Sequence, residues 1–204
     1  MDQFLSYQYP VMEHFYTLQG EGFHTGKPAY FVRLAGCDVG CTWCDVKESW
    51  HTENQPILTV KDILDAIQST PAKIVVITGG EPLMHDLNPL TTVLKQAGLK
   101  LNIETSGSSP MSGDWDWICL SPKKFKEPLP ESIAIAHELK TIIYNKHDFD
   151  WANQFANQVN DNCILYLQPE WGKRKEVEPM IIEYIKQHPQ WQLSLQTHKY
   201  LEIP

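Results

Sequence analysis

The chain has 204 residues, of which 42% are hydrophobic, and carries a formal net charge of −8. That length suffices for one domain with a sizeable core, and the acidic balance repels phosphate backbones, which speaks against nucleic acid as a direct partner. No basic region followed by an apolar run opens the chain, and no apolar stretch approaches the roughly 20 residues that cross a bilayer, so neither a secretory signal nor a membrane span is expected.

In chain order, Ala29–Leu34 reads as a short apolar strand. Thr59 can cap a helix with Asp62 three residues on and an apolar stripe at Val60, Ile63, Leu64 and Ile67. Lys73–Thr78 is a buried strand, followed by a helix with Leu87, Leu90, Leu94 and Ala97 on one face, stopped by Gly98. Further strands are expected at 100–104, 117–121, 139–144, 164–168 and 192–196. Helical patterns separate the last three: Ala152, Phe155, Ala156 and Val159 on one face, then Val177, Ile181, Tyr184 and Ile185 on another.

Strands alternating with helices imply βα units, right-handed crossovers and a mainly parallel sheet. About six such units are too few to close an eight-stranded barrel. The expected fold is α/β, a partial TIM-type βα barrel of about six parallel strands; a flat doubly wound sheet is the alternative. No repeat, low-complexity segment or Pro/Gly/Ser-rich linker interrupts the chain, so residues 1–204 are read as one domain, with 36–56 as a ligand-bearing loop.

The strands run into polar strings at their C-terminal ends. Leu34 leads to the cysteines, Thr78 to Gly79-Gly80-Glu81-Pro82, and Ile103 to Glu104-Thr105-Ser106-Gly107. Leu120 leads to Ser121-Pro122-Lys123-Lys124, Leu167 to Gln168-Pro169, and Leu195 to Gln196-Thr197-His198-Lys199. One such string alone is a turn, because Gly, Pro, Ser and Thr favour turns. Six on the ligand-binding edge of a parallel sheet point to a single site.

Three of the five cysteines lie within eight residues, in the spacing C-x3-C-x2-C: Cys37, Cys41 and Cys44. An odd count without a secretory signal argues for metal chemistry in a reducing, cytoplasmic compartment rather than for disulfides. Three thiolates on one tight loop can hold three irons of a [4Fe–4S] cubane and leave the fourth iron open to a ligand. The competing reading is a structural zinc site with His51 as fourth ligand, a zinc-stabilised binding module without catalysis. Zinc loops, however, usually carry a second cysteine pair, and none exists here.

C-x3-C-x2-C after one strand and Gly-Gly-Glu-Pro after the next resemble the radical S-adenosylmethionine (SAM) superfamily. Phe15–Gly22, Phe31–Leu34, Ser121-Pro122-Lys123, Gln168-Pro169 and the tail 196–201 narrow the resemblance to the 7-carboxy-7-deazaguanine synthase family of queuosine and deazapurine biosynthesis. This resemblance implies a carbon–nitrogen lyase acting on 6-carboxy-5,6,7,8-tetrahydropterin. SAM bound at the open iron yields a 5′-deoxyadenosyl radical, the pterin ring contracts with loss of ammonia, and SAM is regenerated. A flavodoxin- or ferredoxin-type reductant and a homodimer are implied with it. The rival enzyme with the same cysteine spacing is a radical-generating activase of a partner protein, against which Arg33, Glu21 and the tail speak.

The residues then take candidate roles. Leu18, Gln19, Gly20, Glu21, Arg33 and Thr78 are expected at the substrate. Arg33, in an otherwise apolar strand, is either half of an internal salt bridge or a fork on the substrate carboxylate, and the resemblance favours the fork. Trp43, Asp45, Gly80, Glu81, Glu104 and Ser106 are expected around SAM. So are Ser121, Pro122, Lys123, Gln168 and Pro169; turn capping competes for Ser121 and Lys123. Pro204 is expected to present a terminal carboxylate to the substrate. The resemblance also implies Mg²⁺ held by a hydroxyl after Asp45, but Val46 stands there and its side chain offers no oxygen; either substrate and other oxygens hold the ion, or the enzyme needs it less. Cys119, Cys163, His14, His24 and His198 read as core or supporting residues.

Overall fold

The computed structural model describes residues 2–204. A short helix α1 (Asp2–Leu5) precedes two antiparallel strands, β1 (Gln8–Leu18) and β2 (Pro28–Leu34). After a long loop come β3 (Ile57–Thr59), α2 (Val60–Gln68), β4 (Ile74–Gly79), α3 (Asn88–Gln96), β5 (Lys100–Thr105) and β6 (Trp117–Leu120). The remainder is α4 (Pro130–Ala134), β7 (Glu138–Ile143), α5 (Asp148–Ala156), β8 (Ile164–Pro169), α6 (Arg174–Gln187), β9 (Trp191–Leu193) and α7 (Thr197–Leu201).

Among the described residues these strands form one nine-stranded sheet in the order β3-β1-β2-β4-β5-β6-β7-β8-β9. From β2 through β4 to β9 every pairing is parallel, seven strands in sequence order. The two edges, β3 and β9, do not pair, so the barrel is open, as the count of βα units predicts. The parallel pairing of β2 with β4 to β9 brings the C-terminal ends of these seven strands to the same rim.

Apolar periodicity explains the helices. Thr59 caps α2 with a capping box: its Oγ1 accepts from Asp62 N, and the Asp62 carboxylate accepts from Thr59 N. Val60, Ile63 and Ile67 are buried in the same cluster as Leu90, Val93 and Leu94 of α3 and Val75 and Ile77 of β4. A second cluster, with Leu139, Phe155, Leu167, Val177, Ile181 and Trp191, holds β7 to β9 against α5 and α6. Burying a side chain such as Leu or Phe contributes about 1.5–3 kcal/mol.

The structure departs from the sequence expectation in three places. Strand β1, eleven residues long, carried no clean alternation and is fixed by its pairing with β2 and β3. The last strand is three residues, Trp191–Leu193, rather than 192–196, because only these pair with β8, and Gln196 directly precedes α7. Val159 lies beyond the end of α5.

Candidate active site

The polar rim encloses one cavity of about 250 Å³. Cys37, Cys41 and Cys44 line one side of it, and all five cysteines of the chain are free thiols. The loop that carries them is held from both flanks. Gly36 N donates to Ser49 O and Cys37 N to Trp50 O, at 2.7 and 3.1 Å. Gly80 N donates to Leu34 O and Glu81 N to Gly36 O, at 3.0 and 2.8 Å.

The two glycines of Gly79-Gly80 are required by this close approach. A Cβ on Gly79, which also has φ +143°, would stand 2.1 Å from Leu34 O, and one on Gly80 would stand 2.3 Å from Gly36 O. The Glu81 carboxylate is buried and occupied: Oε1 accepts from Leu83 N and Thr105 Oγ1, Oε2 from Ser106 N and Oγ. Glu81 therefore braces the turn and joins the β4 and β5 strand ends.

Lys123 reaches Ser121 Oγ at 2.5 Å and Ser121 O at 2.8 Å, and its ammonium lies 5.7 Å from the Trp43 ring centre. Both Ser121 and Lys123 line the cavity, so the capping contact and a cavity position coexist. Burial pushes the Lys123 ammonium below the ordinary lysine range. Burial also raises the Cys37 thiol, and raises that of Cys41 to about 11.

Arg33 of β2 faces Glu13 of β1 in register, and its Nε donates to Glu13 Oε1 at 2.6 Å. Its two Nη groups have no protein partner among the described residues, and Arg33 lines the cavity. The salt bridge and the free fork are thus compatible. The Gln19-Gly20-Glu21 loop follows β1. Thr197 N and Oγ1 both donate to Gly20 O at 2.9 Å, fastening α7 over the loop.

Lys140 of β7 closes the floor. It is 3% exposed and pairs with Glu21 and, at 3.3 Å, with Glu104. Gln19 Nε2 donates to Glu104 Oε1 at 2.8 Å, and Gln196 Nε2 to Glu21 Oε1 at 2.9 Å. Burial works against the Glu21 carboxylate, but the Lys140 charge and hydrogen bond, with Gln196 and Gln168, outweigh it and hold its pKa at about 2.

Of the residues the sequence singled out, Leu18, Gln19, Gly20, Glu21, Arg33, Thr78 and Pro204 all line this cavity. So do Trp43, Asp45, Gly80, Glu81, Glu104, Ser106, Ser121, Lys123 and Gln168. Pro122 and Pro169 do not: both are buried, and they shape the strand ends rather than face the cavity. Sequence reasoning missed Lys140, although it breaks an apolar strand just as Arg33 does. It left His198 as a supporting residue, whereas His198 lines the cavity and packs on Gly20, where a Cβ would stand 2.2 Å from its Nδ1. His51 is exposed and lies outside the cavity.

The donor set fits a thiolate-ligated iron–sulfur cluster. No three His, Cys, Asp or Glu side chains among the described residues converge on a point that would hold one metal ion. A cubane asks for a wider spacing, since each thiolate takes a separate iron. Thiols raised by burial are deprotonated when metal binds, with release of protons. Val46 lines the cavity with a side chain that offers no oxygen to Mg²⁺, and the Asp45 carboxylate is paired with Lys199 Nζ at 2.5 Å.

The family described as the radical SAM superfamily matches residues 32–127. A 7-carboxy-7-deazaguanine synthase of Flavobacterium psychrophilum is 56% identical over 195 residues, covering 96% of this chain and 92% of that protein. The Synechocystis sp. enzyme of the same name is 48% identical, covering 100% and 97%. The crystal structure of QueE from Escherichia coli superposes with a TM-score of 0.86 at 34% identity, covering 95% of this chain and 96% of that one. With the open barrel, the cysteine triplet and near-complete alignment in agreement, the chain belongs to the 7-carboxy-7-deazaguanine synthase family of the radical SAM superfamily.

Proposed function

We propose that this chain converts 6-carboxy-5,6,7,8-tetrahydropterin to 7-carboxy-7-deazaguanine, with loss of ammonia and with SAM used catalytically. The observation that carries the reading is one cavity lined by three thiols together with an arginine, two glutamates and amides. Cys37, Cys41 and Cys44 would hold the [4Fe–4S] cluster. Bound there, the cluster and SAM supply a carbon radical that takes a hydrogen atom from the substrate, chemistry that belongs to the cofactor.

The protein's own part is placement. The Gly79-Gly80 turn packs its backbone close to Leu34, Gly36 and Cys37 and lines the cavity, where it would face the amino-acid end of SAM. Trp43, Ser121, Lys123 and Gln168 surround the adenosyl end. The Arg33 Nη groups match the substrate carboxylate in a bidentate fork. Glu21, Glu104 and Gln19 offer acceptors to the N–H-bearing amino-pyrimidine edge. Trp50, Phe15 and Phe31 line the remaining wall and keep water from it.

A flavodoxin- or ferredoxin-type donor suits a cluster whose loop reaches the surface at Gly40 and Thr42, beside the ligands. No helix is long and apolar enough to cross a membrane. A reducing cytoplasmic setting is supported by the five free thiols. The homodimer rests on the family resemblance alone.

Protein reconstituted with iron and sulfide without oxygen, then incubated with SAM, a strong reductant and the carboxy-pterin, tests the reading. The expected product is 7-carboxy-7-deazaguanine by mass, with ammonia in equal amount. SAM cleavage with an unaltered pterin would overturn it.

A further inference from the structure

The ammonium of Lys140 is buried inside the barrel. Leu139 and Ile143 of β7 are buried apolar side chains on the other face of the sheet, and Glu138, two residues before Lys140 on its own face, is buried as well. An ammonium removed from water is costly unless it is paired and hydrogen-bonded. Here it is paired twice, with carboxylates from two other elements: Glu21 from the loop after β1 and Glu104 from the end of β5. Each carboxylate has a second, amide donor, Gln196 on Glu21 and Gln19 on Glu104. Gln19 also binds back, its Oε1 accepting from Glu21 N at 3.1 Å. Lys140, Glu21, Gln19 and Glu104 close a ring through the Glu21 backbone N–H, Gln196 is attached to it at Glu21, and all five residues line the cavity.

We propose that Lys140 is a positioning residue for the substrate. It holds Glu21 and Glu104 side by side as oriented carboxylates and leaves the cavity floor with one net negative charge toward the N–H-bearing edge of the pterin. The inference rests on the function proposed above.

Charge accounting supports it. Two carboxylates placed together without a cation cannot both stay ionised cheaply. One lysine between them makes that possible and removes one of the two charges. The other titratable groups around Lys140 do not replace it. Glu138, on the same strand, is pushed toward its neutral form by burial, and its Oε2 accepts from Phe23 N at 2.9 Å. The Cys119 thiol of β6 is raised well above its ordinary value by burial. The His198 imidazole on α7 is lowered by burial and stays neutral. Lys123 is turned to Ser121, and Asp45 to Lys199. Each carboxylate oxygen has more than one acceptor site, so the amide and ammonium contacts leave capacity for a ligand.

The test compares reconstituted wild type, Lys140→Met, and Lys140→Met/Glu104→Gln, reading pterin affinity, SAM affinity and uncoupled SAM cleavage separately. Iron content and thermal midpoint report folding. Lys140→Met should lose about tenfold or more in pterin affinity, with SAM binding and cleavage near wild type. Its remaining affinity should weaken as pH rises from about 6 to 8.5, as the second carboxylate loses its shared proton, relative to a wild-type profile without that step. The double variant keeps one carboxylate and no pair to share a proton, so its pterin affinity, weaker than that of wild type, should not show that fall with pH. Wild-type pterin affinity in Lys140→Met overturns the proposal. So does the same fall with pH in the double variant, since paired carboxylates would then not be its source. Product formation by wild type judges the proposed reaction separately from these differences between variants.

Discussion

Lys199 Nζ stands 2.5 Å from Asp45 Oδ2, which ties the segment after the last strand to the residue that follows the third cysteine. The two are 154 positions apart in sequence, and Asp45 and the neighbour of Lys199, His198, both line the cavity. Lys199 also lies 5.4 Å from the Trp171 ring centre, so its stem is steadied where its charge is used. The Asp45 side chain is 55% exposed, and exposed pairs contribute about 0.2–1 kcal/mol. Lys199→Met should therefore change overall stability little. Its effect should fall on the cluster loop, as a several-fold loss of substrate affinity and faster loss of iron in air. Unchanged iron retention and affinity would show that the contact has no role at the cavity.

Each of the three loop cysteines should be indispensable. Alanine at Cys37, Cys41 or Cys44 removes a ligand that nothing nearby replaces, because Cys119 and Cys163 lie on strand β6 and just before β8. Iron and sulfide analysis after reconstitution should show loss of the cluster, and SAM cleavage should fall to background. Full iron content in any one variant would displace that cysteine from the ligand set.

Arg33→Lys keeps the charge and can keep the Glu13 contact, but loses the planar fork. Losing one partner of a desolvated charge pair costs on the order of 2–5 kcal/mol, and keeping the charge retains part of that. The carboxy-pterin should bind at least about tenfold more weakly, with uncoupled SAM cleavage preserved. A variant that binds the pterin as wild type does would leave Arg33 with only its salt bridge.

Val46 should make turnover nearly indifferent to Mg²⁺. Val46→Thr introduces the missing oxygen beside Asp45 and should create a measurable stimulation by the metal. Activity titrated against Mg²⁺, after a chelator, checks both proteins. A strong requirement in wild type, the same in Val46→Thr, would mean that oxygens other than residue 46 hold the ion.

Glu21 sets an acid limit. Its folded pKa, about 2, lies below the ordinary carboxylate value, because Lys140, Gln196 and Gln168 outweigh the effect of burial. A depressed acid contributes stability above its unfolded pKa, and that contribution is lost as pH falls through the folded value. Denaturant midpoints should therefore drop as pH falls from about 4.3 toward 2. Glu21→Gln should lower stability at neutral pH and flatten that drop. An equally steep acid drop in Glu21→Gln would assign the effect to other carboxylates.

Much of this protein is written locally. The open βα barrel follows from apolar strands alternating with capped amphipathic helices, because burial of one face dictates both period and order; Thr59 with Asp62 announces α2 unaided. The metal loop is legible for the same reason, since three thiolates must lie close along the chain to reach one cluster. Gly79 and Gly80 mark a turn in the sequence, but only the packing of β4 on β2 shows that Leu34 O and Gly36 O leave no room for a Cβ. Strand β1 shows the limit more sharply. Its inward side is set by pairing with β2 and β3, an interaction its own residues do not encode as a pattern. Lys140 could be noticed as a charge in an apolar strand, but its partners come from positions 119 and 36 residues away. Local sequence determines which residues are buried and which turns form. Which charges meet at the cavity floor, and which carboxylates are already occupied, is decided only when distant strand ends arrive on one rim.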